Sequence, residues 1–362
     1  MDFCGAGFSL RGLDLARPKI RRLKPAPLRQ CFKFDLTSMQ RKTQAAPVDG
    51  ALVVDKPRGK TSHDVVDAVR RIVRFHQIGH LGTLDPLATG VLVLLLGRAT
   101  RLARFYVGRR KRYNSTFRFG FATDTYDANG EALGPDLAPQ LDRAEIERLA
   151  AASVGRFPQM PPPYSAKKIH GRPAHELARK KKPVELKAAE IEVYDFHVNE
   201  VFDSTAKVSI ECAAGTYVRS LAHDMGAALG CGAHLAEITR TAVGEFTLDQ
   251  AACLEDLERA AKDGDLARYV IPLERLLPEL PSVTILPLLE KRVRHGGKFN
   301  VQIAQIQPGR TSAAQGATSE LNSGDWQPAR LRVFNHEERL IAIAEAVVPR
   351  TYQPVVVLDA EA

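Results

Sequence analysis

The chain has 362 residues, of which 44% are apolar and 26% charged, and this composition is typical of a globular protein with two domains. Its five cysteines are scattered without a C-x-x-C pair, which argues against a disulfide framework and favours a reducing cytoplasm. Of the net charge of +9, residues 1–46 carry +7 (ten Lys or Arg and three Asp), so only +2 remains for the rest. A polyanionic partner must therefore be bound by local basic patches and not by bulk charge.

Residues 1–46 are rich in Arg and Pro and show no sustained periodicity, so we predict a basic disordered extension. Three interpretations of this segment stay open: an organelle transit peptide, a start site assigned too early with Met39 as the true start, or a basic RNA-binding arm. No apolar run is long enough to predict a membrane span. The run at 91–96 has six residues and predicts a buried strand.

Between residues 47 and 280, predicted strands and helices alternate irregularly. Apolar runs and alternating patterns predict strands at 51–54, 91–96, 113–121, 191–198 and 208–212. An apolar stripe predicts a helix from a cap at Ser62 to about Phe75, and further helices are predicted at 141–154 and 215–230. This order favours an α+β domain with a mixed or antiparallel sheet over repeated βαβ units.

A change in composition near Leu276 marks the start of a second domain, which we place at residues 281–362. Apolar segments at 330–334, 340–344 and 354–358 predict the short strands of a small β-barrel. Residues 304–328 are rich in Gly, Ser, Gln and Ala, which predicts a long loop within this domain.

The most informative segment is 78–91, with the sequence I-G-H-L-G-T-L-D-P-L-A-T-G-V. Asp85 precedes Pro86, which biases it towards an extended backbone on a stiff loop beside the buried strand. A carboxylate held in this way suits a nucleophile, although an Asp-Pro pair taken alone is more often a plain turn. Asp85 is the only carboxylate in 76–97, which disfavours a two-carboxylate hydrolase.

Three segments resemble metal sites only superficially. The pair His76 and His80 has the spacing of a zinc protease motif but lacks its Glu and contains a glycine. A second set, His223, Cys231 and His234, lacks an evident fourth ligand. The segment 127–130 lacks the Glu that closes a calcium loop, and its Asn-Gly pair indicates a β-turn. We therefore predict no metal site.

The segment around Asp85 resembles a known catalytic motif. The string G-x-L-D-P-x-A-T-G at 82–90, preceded by G-H at 79–80, is similar to that of the TruB family of tRNA pseudouridine synthases. Further segments resemble motifs of this family in the same order, at 55–62, 111–113, 123–130, 163–171, 215–219 and 230–235. The resemblance covers about half of the chain.

The resemblance implies an isomerase that converts the uridine at position 55, in the T arm of tRNA, to pseudouridine after flipping the base out of the RNA. It implies a catalytic domain at 47–280 with a thumb-like insertion near 160–185, and a PUA-like RNA-binding domain at 281–362. The reaction moves a glycosidic bond without redox change, so no cofactor is expected. The expected partner is tRNA, with no membrane and no obligate protein partner, and the chain is expected to be a cytoplasmic monomer.

The resemblance also implies roles for single residues. Asp85 is the nucleophile or the base acting on the sugar, Arg219 pairs with it, and Tyr113 stacks on the flipped base and takes part in proton transfer. The predicted substrate-binding residues are His80, Tyr217, Lys56, Arg110, Lys111, Lys167 and Lys168. Without the motifs, Arg219 would be interpreted as a surface helix residue and Tyr113 as plain core. Two interpretations of Lys56 stay open, a support of the pocket and a surface lysine at a strand end.

Two basic clusters, at 98–112 and 167–182, predict a track for RNA phosphates and binding that weakens steeply with salt. Two other functions stay open at this stage. One is a guide-RNA-dependent pseudouridine synthase that acts on ribosomal RNA within a protein complex. The other is a tRNA-binding or tRNA-folding chaperone without catalysis.

Overall fold

The computed structural model describes residues 49–163, 168–169, 172–173, 187–310 and 327–358. The predictions on residues 1–46, on Lys167, and on most of the thumb-like insertion and the 304–328 loop lie outside the described residues. The side chain of Lys168 lies outside them as well. The described residues belong to one compact unit.

The strands are β1 (Gly50–Lys56), β2 (Ile78–His80), β3 (Thr89–Leu96), β4 (Lys111–Phe119), β5 (Gly155–Gln159), β6 (Lys168–Ile169), β7 (Arg172–Pro173), β8 (Ala189–Phe202), β9 (Thr205–Cys212), β10 (Ala233–Val243), β11 (Phe246–Thr247), β12 (Val270–Pro272), β13 (Ser282–Thr284), β14 (Phe299–Asn300), β15 (Arg330–Phe334), β16 (Leu340–Val348) and β17 (Thr351–Val357). The α-helices are α1 (Ser62–Val73), α2 (Arg143–Ala152), α3 (Val218–Ala228), α4 (Leu254–Asp263) and α5 (Pro287–Arg294). A 3₁₀ helix spans Gly97–Phe105.

The larger sheet has the strand order β12-β1-β3-β10-β4-β9-β8-β5, with β2 beside β3 and β11 beside β10. The pair β3–β10 is parallel, whereas β1–β3, β10–β4 and β4–β9 are antiparallel. This mixed sheet confirms the predicted α+β fold class. The apolar run 91–96 lies in β3, where every residue is buried because a central strand is covered on both faces.

The central strand β10 was not predicted from the sequence. Its alternation is broken by register shifts at two places, between Leu235 and Glu237 and between Arg240 and Ala242. Such bulges change which face successive side chains occupy, so the period of two is lost in the sequence.

Helix α1 begins at Ser62, one residue earlier than a cap at Ser62 would give. Thr61, and not Ser62, is the N-cap, and it forms a capping box with Asp64. The helix ends at Val73 because Arg74 adopts a left-handed conformation with φ 53°, so the predicted extension to Phe75 was wrong. Ser62 is thereby free to bond the loop that carries Asp85.

The second sheet is curled and has the order β13-β15-β16-β17-β14. The strands predicted at 330–334, 340–344 and 354–358 correspond to β15, β16 and β17, the last two being longer than predicted. Leu340, Ile343 and Val356 of this sheet pack in one apolar cluster with Val93 and Leu95 of the larger sheet. The predicted domain boundary near residue 280 falls between β12 and β13 and remains a prediction. Within the described residues, no helix is long and apolar enough to cross a membrane.

Candidate active site

The Asp85 loop, residues 81–88 between β2 and β3, is held by hydrogen bonds from α1. The Leu84 N–H donates to the Ser62 hydroxyl at 2.8 Å, and this hydroxyl donates back to the Leu84 carbonyl at 3.1 Å. Ser62 is buried, so water does not compete for these bonds. The Asp85 side chain itself is 47% exposed. The loop is therefore fixed while its carboxylate stays accessible.

Lys56 ties the turn at 57–60 to the same loop. Its side chain is fully buried, and the ammonium group donates to the carbonyls of Pro57 (2.9 Å), Lys60 (2.6 Å) and Pro86 (3.5 Å). Burial lowers the pKa of Lys56 to about 8, with Asp85 acting in the opposite direction. The interpretation of Lys56 as a surface lysine was wrong, and the geometry is that of a support for the loop.

Arg219 lies in the first turn of α3 and contacts Asp85. Its Nη2 is 2.9 Å from Asp85 Oδ2, and its side chain is only 8% exposed. Its Nη1 donates to Asp127 Oδ2 at 3.2 Å and to the Thr125 carbonyl at 3.1 Å. A surface position for Arg219 is therefore excluded. The planar guanidinium joins two carboxylates, an arrangement that a lysine could not reproduce.

Asp127 is a site residue that the sequence analysis interpreted only as part of a turn. The turn is present, since Asp127 Oδ1 accepts from the Thr125 hydroxyl (2.8 Å) and from the Asn129 N–H (3.0 Å). The side chain is nevertheless buried, and its other oxygen faces Arg219. The sequence did contain a sign of this role, because Asp127 belongs to the segment 123–130 that resembles a family motif. A β-turn was enough to account for the aspartate there, so it was not nominated as a site residue. Asp127 is buried and already accepts three hydrogen bonds, whereas Asp85 is half-exposed, so Asp85 is the carboxylate accessible to a ligand.

Gln159 positions the start of α3. Its side-chain amide donates to the Tyr217 carbonyl at 3.1 Å and its oxygen accepts from the Tyr217 N–H at 2.8 Å. Gln159 is buried at the end of β5. Because Tyr217 is the N-cap of α3, this bidentate contact fixes the backbone that presents Arg219.

Tyr113 and Lys111 lie on β4 and are both buried. Burial raises the pKa of Tyr113 to about 12, and the nearby Arg240 guanidinium opposes this shift. Burial also lowers the pKa of Lys111, and the nearby Arg240 guanidinium lowers it further. Lys111 donates to the Arg109 carbonyl at 3.1 Å. Tyr113 is thus core, as its residue type alone suggested, but core that borders a cavity.

Residues from four segments enclose this cavity, which has a volume of about 300 Å³. The Asp85 loop, the strands β4 and β10, and the segment 214–219 supply its walls. Its lining includes Asp85, Lys111, Tyr113, Tyr217, Arg219 and Arg240. The volume lies near the lower end of the roughly 300–1,000 Å³ of ligand pockets, which fits a small ring system.

Of the predicted substrate-binding residues that the structure describes, His80, Arg110 and Lys56 are not part of this lining. His80 is exposed on β2, and partial desolvation together with Arg240 lowers its pKa. Arg110 is exposed, pairs with Glu211 (Nη1 to Oε1 3.2 Å) and stacks over the Tyr194 ring at 3.8 Å. The backbone of Lys168 lies in the two-stranded sheet β6–β7. The structure therefore brings Asp85, Arg219, Tyr113, Tyr217 and Lys111 together at the cavity, with Lys56 supporting the loop.

Three of the seven basic residues in the cluster 98–112 form ion pairs within the chain. Arg98 pairs with Asp49, Arg109 with Glu279, and Arg110 with Glu211. Arg112 is exposed on β4 without an ion pair to any described residue. The charge open to RNA along this segment is smaller than the sequence suggested. Most of the second cluster, 167–182, lies outside the described residues.

The cavity combines a half-exposed carboxylate, a buried guanidinium and an aromatic ring. The guanidinium orients the carboxylate through a charge-assisted hydrogen bond. The ring provides a flat apolar surface against which a base can stack. Within the described part of the chain, no group of three or more His, Cys, Asp or Glu side chains could hold a metal ion.

Comparison with known proteins identifies the family. Residues 70–218 match the N-terminal domain of TruB family pseudouridylate synthases, and residues 219–278 match the tRNA pseudouridylate synthase B C-terminal domain. Strand β10, from the second matched region, lies between β3 and β4 of the first, so both regions build one sheet.

Curated relatives carry one name. The chain is 42% identical over 311 residues to tRNA pseudouridine synthase B of Solibacter usitatus (strain Ellin6076), covering 86% of this chain and 100% of that protein. It is 35% identical to tRNA pseudouridine synthase B of Chromohalobacter salexigens, covering 81% and 97% of the two chains. Both spans include every segment of the cavity wall.

Solved structures of a related fold are more distant in sequence. A structure titled as an H/ACA RNP bound to a substrate RNA containing 2′-deoxyuridine matches with a TM-score of 0.62 at 23% identity, covering 86% of this chain and 85% of that chain. This likeness shows the fold alone. The two family matches and the identity to curated relatives show more: the chain belongs to the TruB family of pseudouridine synthases.

Proposed function

We propose that this chain converts the uridine at position 55 in the T arm of tRNA to pseudouridine. The reaction breaks the bond between ribose C1′ and uracil N1, turns the base, and forms a bond from C1′ to C5. The C5 hydrogen then leaves as a proton and N1 takes up a proton, so atoms and electrons balance without an oxidant, a reductant or a cofactor. The base must leave its stack in the RNA to enter the cavity beside this carboxylate.

Asp85 carries this proposal. It is the half-exposed carboxylate at a cavity of about 300 Å³, on a loop fixed by Ser62 and Lys56 and with Arg219 at 2.9 Å. We assign it the role of the nucleophile, or of the base that acts on the sugar. Preorganisation of this kind lowers the barrier because the charged groups need not reorient as the reaction proceeds.

We assign Tyr113 and Tyr217 to contacts with the flipped uracil, and Lys111 to a contact with the neighbouring backbone of the RNA. Tyr113 borders the cavity, and burial moves its pKa further above neutral pH, to about 12, so its hydroxyl group keeps its proton. A neutral ring can stack on the uracil and pass a proton through its hydroxyl group. Tyr217 forms part of the wall, and His80 contacts the RNA beside the flipped base.

We propose that the enzyme acts on tRNA alone, as a cytoplasmic monomer without a guide RNA or protein partner. The curated relatives cited above are named for tRNA, at 42% and 35% identity. The H/ACA structures support only the shared fold at 23% identity. The guide-dependent alternative is therefore the weaker one.

The test is a chemical map of pseudouridine in an unmodified tRNA transcript after incubation with the purified full chain. We expect a single new pseudouridine in the T arm with the wild-type protein and none with Asp85→Asn. A transcript with cytidine at position 55 serves as the control and should remain unmodified. Tight tRNA binding without any modification would support the chaperone or the guide-dependent function instead.

A further inference from the structure

Arg240 is the largest fully buried side chain of the described residues, with 1% of its surface exposed. It lies on β10, where its backbone is in register with Gly90 of β3 and Tyr113 of β4. None of the sequence motifs discussed above includes it. It also lines the cavity that contains Asp85.

The Arg240 guanidinium donates to the Asp85 loop from inside the sheet. Its Nη2 donates to the Gly82 carbonyl at 3.0 Å and its Nη1 to the Thr83 carbonyl at 3.4 Å. Its Nε donates to the Val91 carbonyl, in β3, at 2.8 Å. One planar group therefore joins the beginning of the loop to the strand that follows it, on either side of Asp85.

Gly90 permits this contact. A Cβ atom at position 90 would lie 2.3 Å from the Arg240 carbonyl oxygen and 3.0 Å from its nitrogen, and the φ of Gly90 is +93°. A side chain there would push β3 away from β10 and lengthen the Arg240 bonds. The close approach of β10, which carries Arg240, thus explains why position 90 of the Asp85 motif is a glycine.

A buried arginine is costly unless the surrounding groups compensate for its lost hydration. Across the described residues, no carboxylate lies within ion-pair distance of the Arg240 guanidinium, and its partners are neutral carbonyls and the Tyr113 side chain. An apolar side chain would fill this position at lower cost. The presence of arginine at position 240 therefore indicates that the Asp85 loop needs several hydrogen-bond donors held in one rigid plane.

We propose that Arg240 is a positioning residue that fixes the Asp85 loop, so that Asp85 stays aligned with Arg219 and with the base in the cavity. This inference rests on the proposed function, since it concerns the alignment of the reacting carboxylate. Arg240 acts through the carbonyls of Gly82 and Thr83. Its removal impairs the chemical step and leaves RNA binding intact.

The test compares Arg240→Met and Arg240→Lys with the wild-type protein and with Arg332→Met. Arg332 is a matched control because it also donates to three backbone carbonyls, those of Leu280, Glu274 and Leu276, but in the second sheet. We expect kcat to fall about 100-fold in Arg240→Met with KM nearly unchanged, since a misplacement of about 1 Å can have such an effect. Arg240→Lys should recover part of this loss, and Arg332→Met should keep the wild-type kcat.

Hydrogen exchange provides a readout that a general loss of stability would not reproduce. In Arg240→Lys, amides of the Asp85 loop should exchange faster while those of β9 stay unchanged. If Arg240→Met does not fold, Arg240→Lys alone tests the inference, through its kcat and through hydrogen exchange of the Asp85 loop. Wild-type kcat and unchanged loop exchange in a folded Arg240 variant would overturn the inference. Absence of activity in the wild-type protein would instead overturn the proposed function.

Discussion

Two buried arginines line the same cavity, but their partners differ in kind. Arg219, at the start of α3, contacts the carboxylates of Asp85 and Asp127. Arg240, in the centre of the sheet, contacts backbone carbonyls of the Asp85 loop and of β3. The first arginine therefore contacts the proposed nucleophile directly, whereas the second contacts the backbone that carries it.

This difference separates orientation of the carboxylate from rigidity of the loop. A change at Arg219 removes a charge-assisted bond to Asp85 and leaves Asp127 buried without its partner. A change at Arg240 leaves the ion pair in place but loosens its support. The two kinds of variant should consequently differ in the size of their effects and in hydrogen exchange of the loop.

The largest effect is expected at Arg219. In Arg219→Lys, a single ammonium group cannot bridge both carboxylates, so kcat should fall on the order of 10²–10³-fold, the range seen when one preorganised donor is removed. Steady-state kinetics on a tRNA transcript measure this, with tRNA binding checked separately. Full activity in the lysine variant would contradict the assigned pairing.

A smaller effect is expected at Asp127. Asp127→Asn keeps the turn acceptors but removes the negative charge that faces Arg219, so kcat should fall about 10-fold. The free energy of unfolding should drop by about 2 kcal/mol, less than the ~3–5 kcal/mol for a lone buried pair because Asp85 remains. Denaturant unfolding provides this number. Asp203→Asn, in an exposed turn, is the control and should change neither quantity.

Lys56 should produce a pH dependence of stability. Its pKa is lowered from the ordinary 10.5 to about 8 in the folded chain. Between these two values the unfolded chain binds more protons, so this group makes the free energy of unfolding rise as pH increases from 8 to 10.5. Subtracting the values for Lys56→Met isolates this contribution, and the difference should grow across that window. The exposed Lys262→Met should show no such difference, and a flat difference for Lys56→Met would rule out the lowered pKa.

The smallest effect concerns RNA affinity. Arg112 has no ion pair within the described residues, whereas its neighbour Arg110 is paired with Glu211. If RNA phosphates contact this edge, Arg112→Gln should reduce the slope of log affinity against log salt concentration by about 1. Arg110→Gln should reduce it less, because its charge is already shared. Equal slopes for both variants and the wild-type protein would exclude a phosphate track at this edge.

The sequence alone predicted the features that depend on a local motif or on a strong local pattern. The buried run 91–96, the helices α1, α2 and α3, and the pairing of Asp85 with Arg219 were all expected before the structure. The fold class was predicted from the irregular order of strands and helices. Each of these features depends on neighbouring residues or on a motif with fixed internal spacing.

The rest depends on contacts between distant segments. Arg240 contacts carbonyls more than 140 residues away in the chain, and backbone carbonyls leave no mark in a sequence. The contact of Asp127 with Arg219 was not predicted because one oxygen of Asp127 forms the turn that the sequence predicted, while the other faces Arg219. The free charge of the basic cluster at 98–112 was overestimated because Asp49, Glu211 and Glu279, which pair with three of its seven basic residues, come from other segments.

The most direct test of the account measures release of the C5 hydrogen. A tRNA transcript labelled with tritium at C5 of its uridines is incubated with the wild-type protein and with Asp85→Asn, and the released tritium is counted. We expect the wild-type protein to release the tritium of a single uridine, and Asp85→Asn to release none while it binds tRNA with unchanged affinity. Release at the wild-type rate by Asp85→Asn would contradict the central claim that this carboxylate carries the isomerisation.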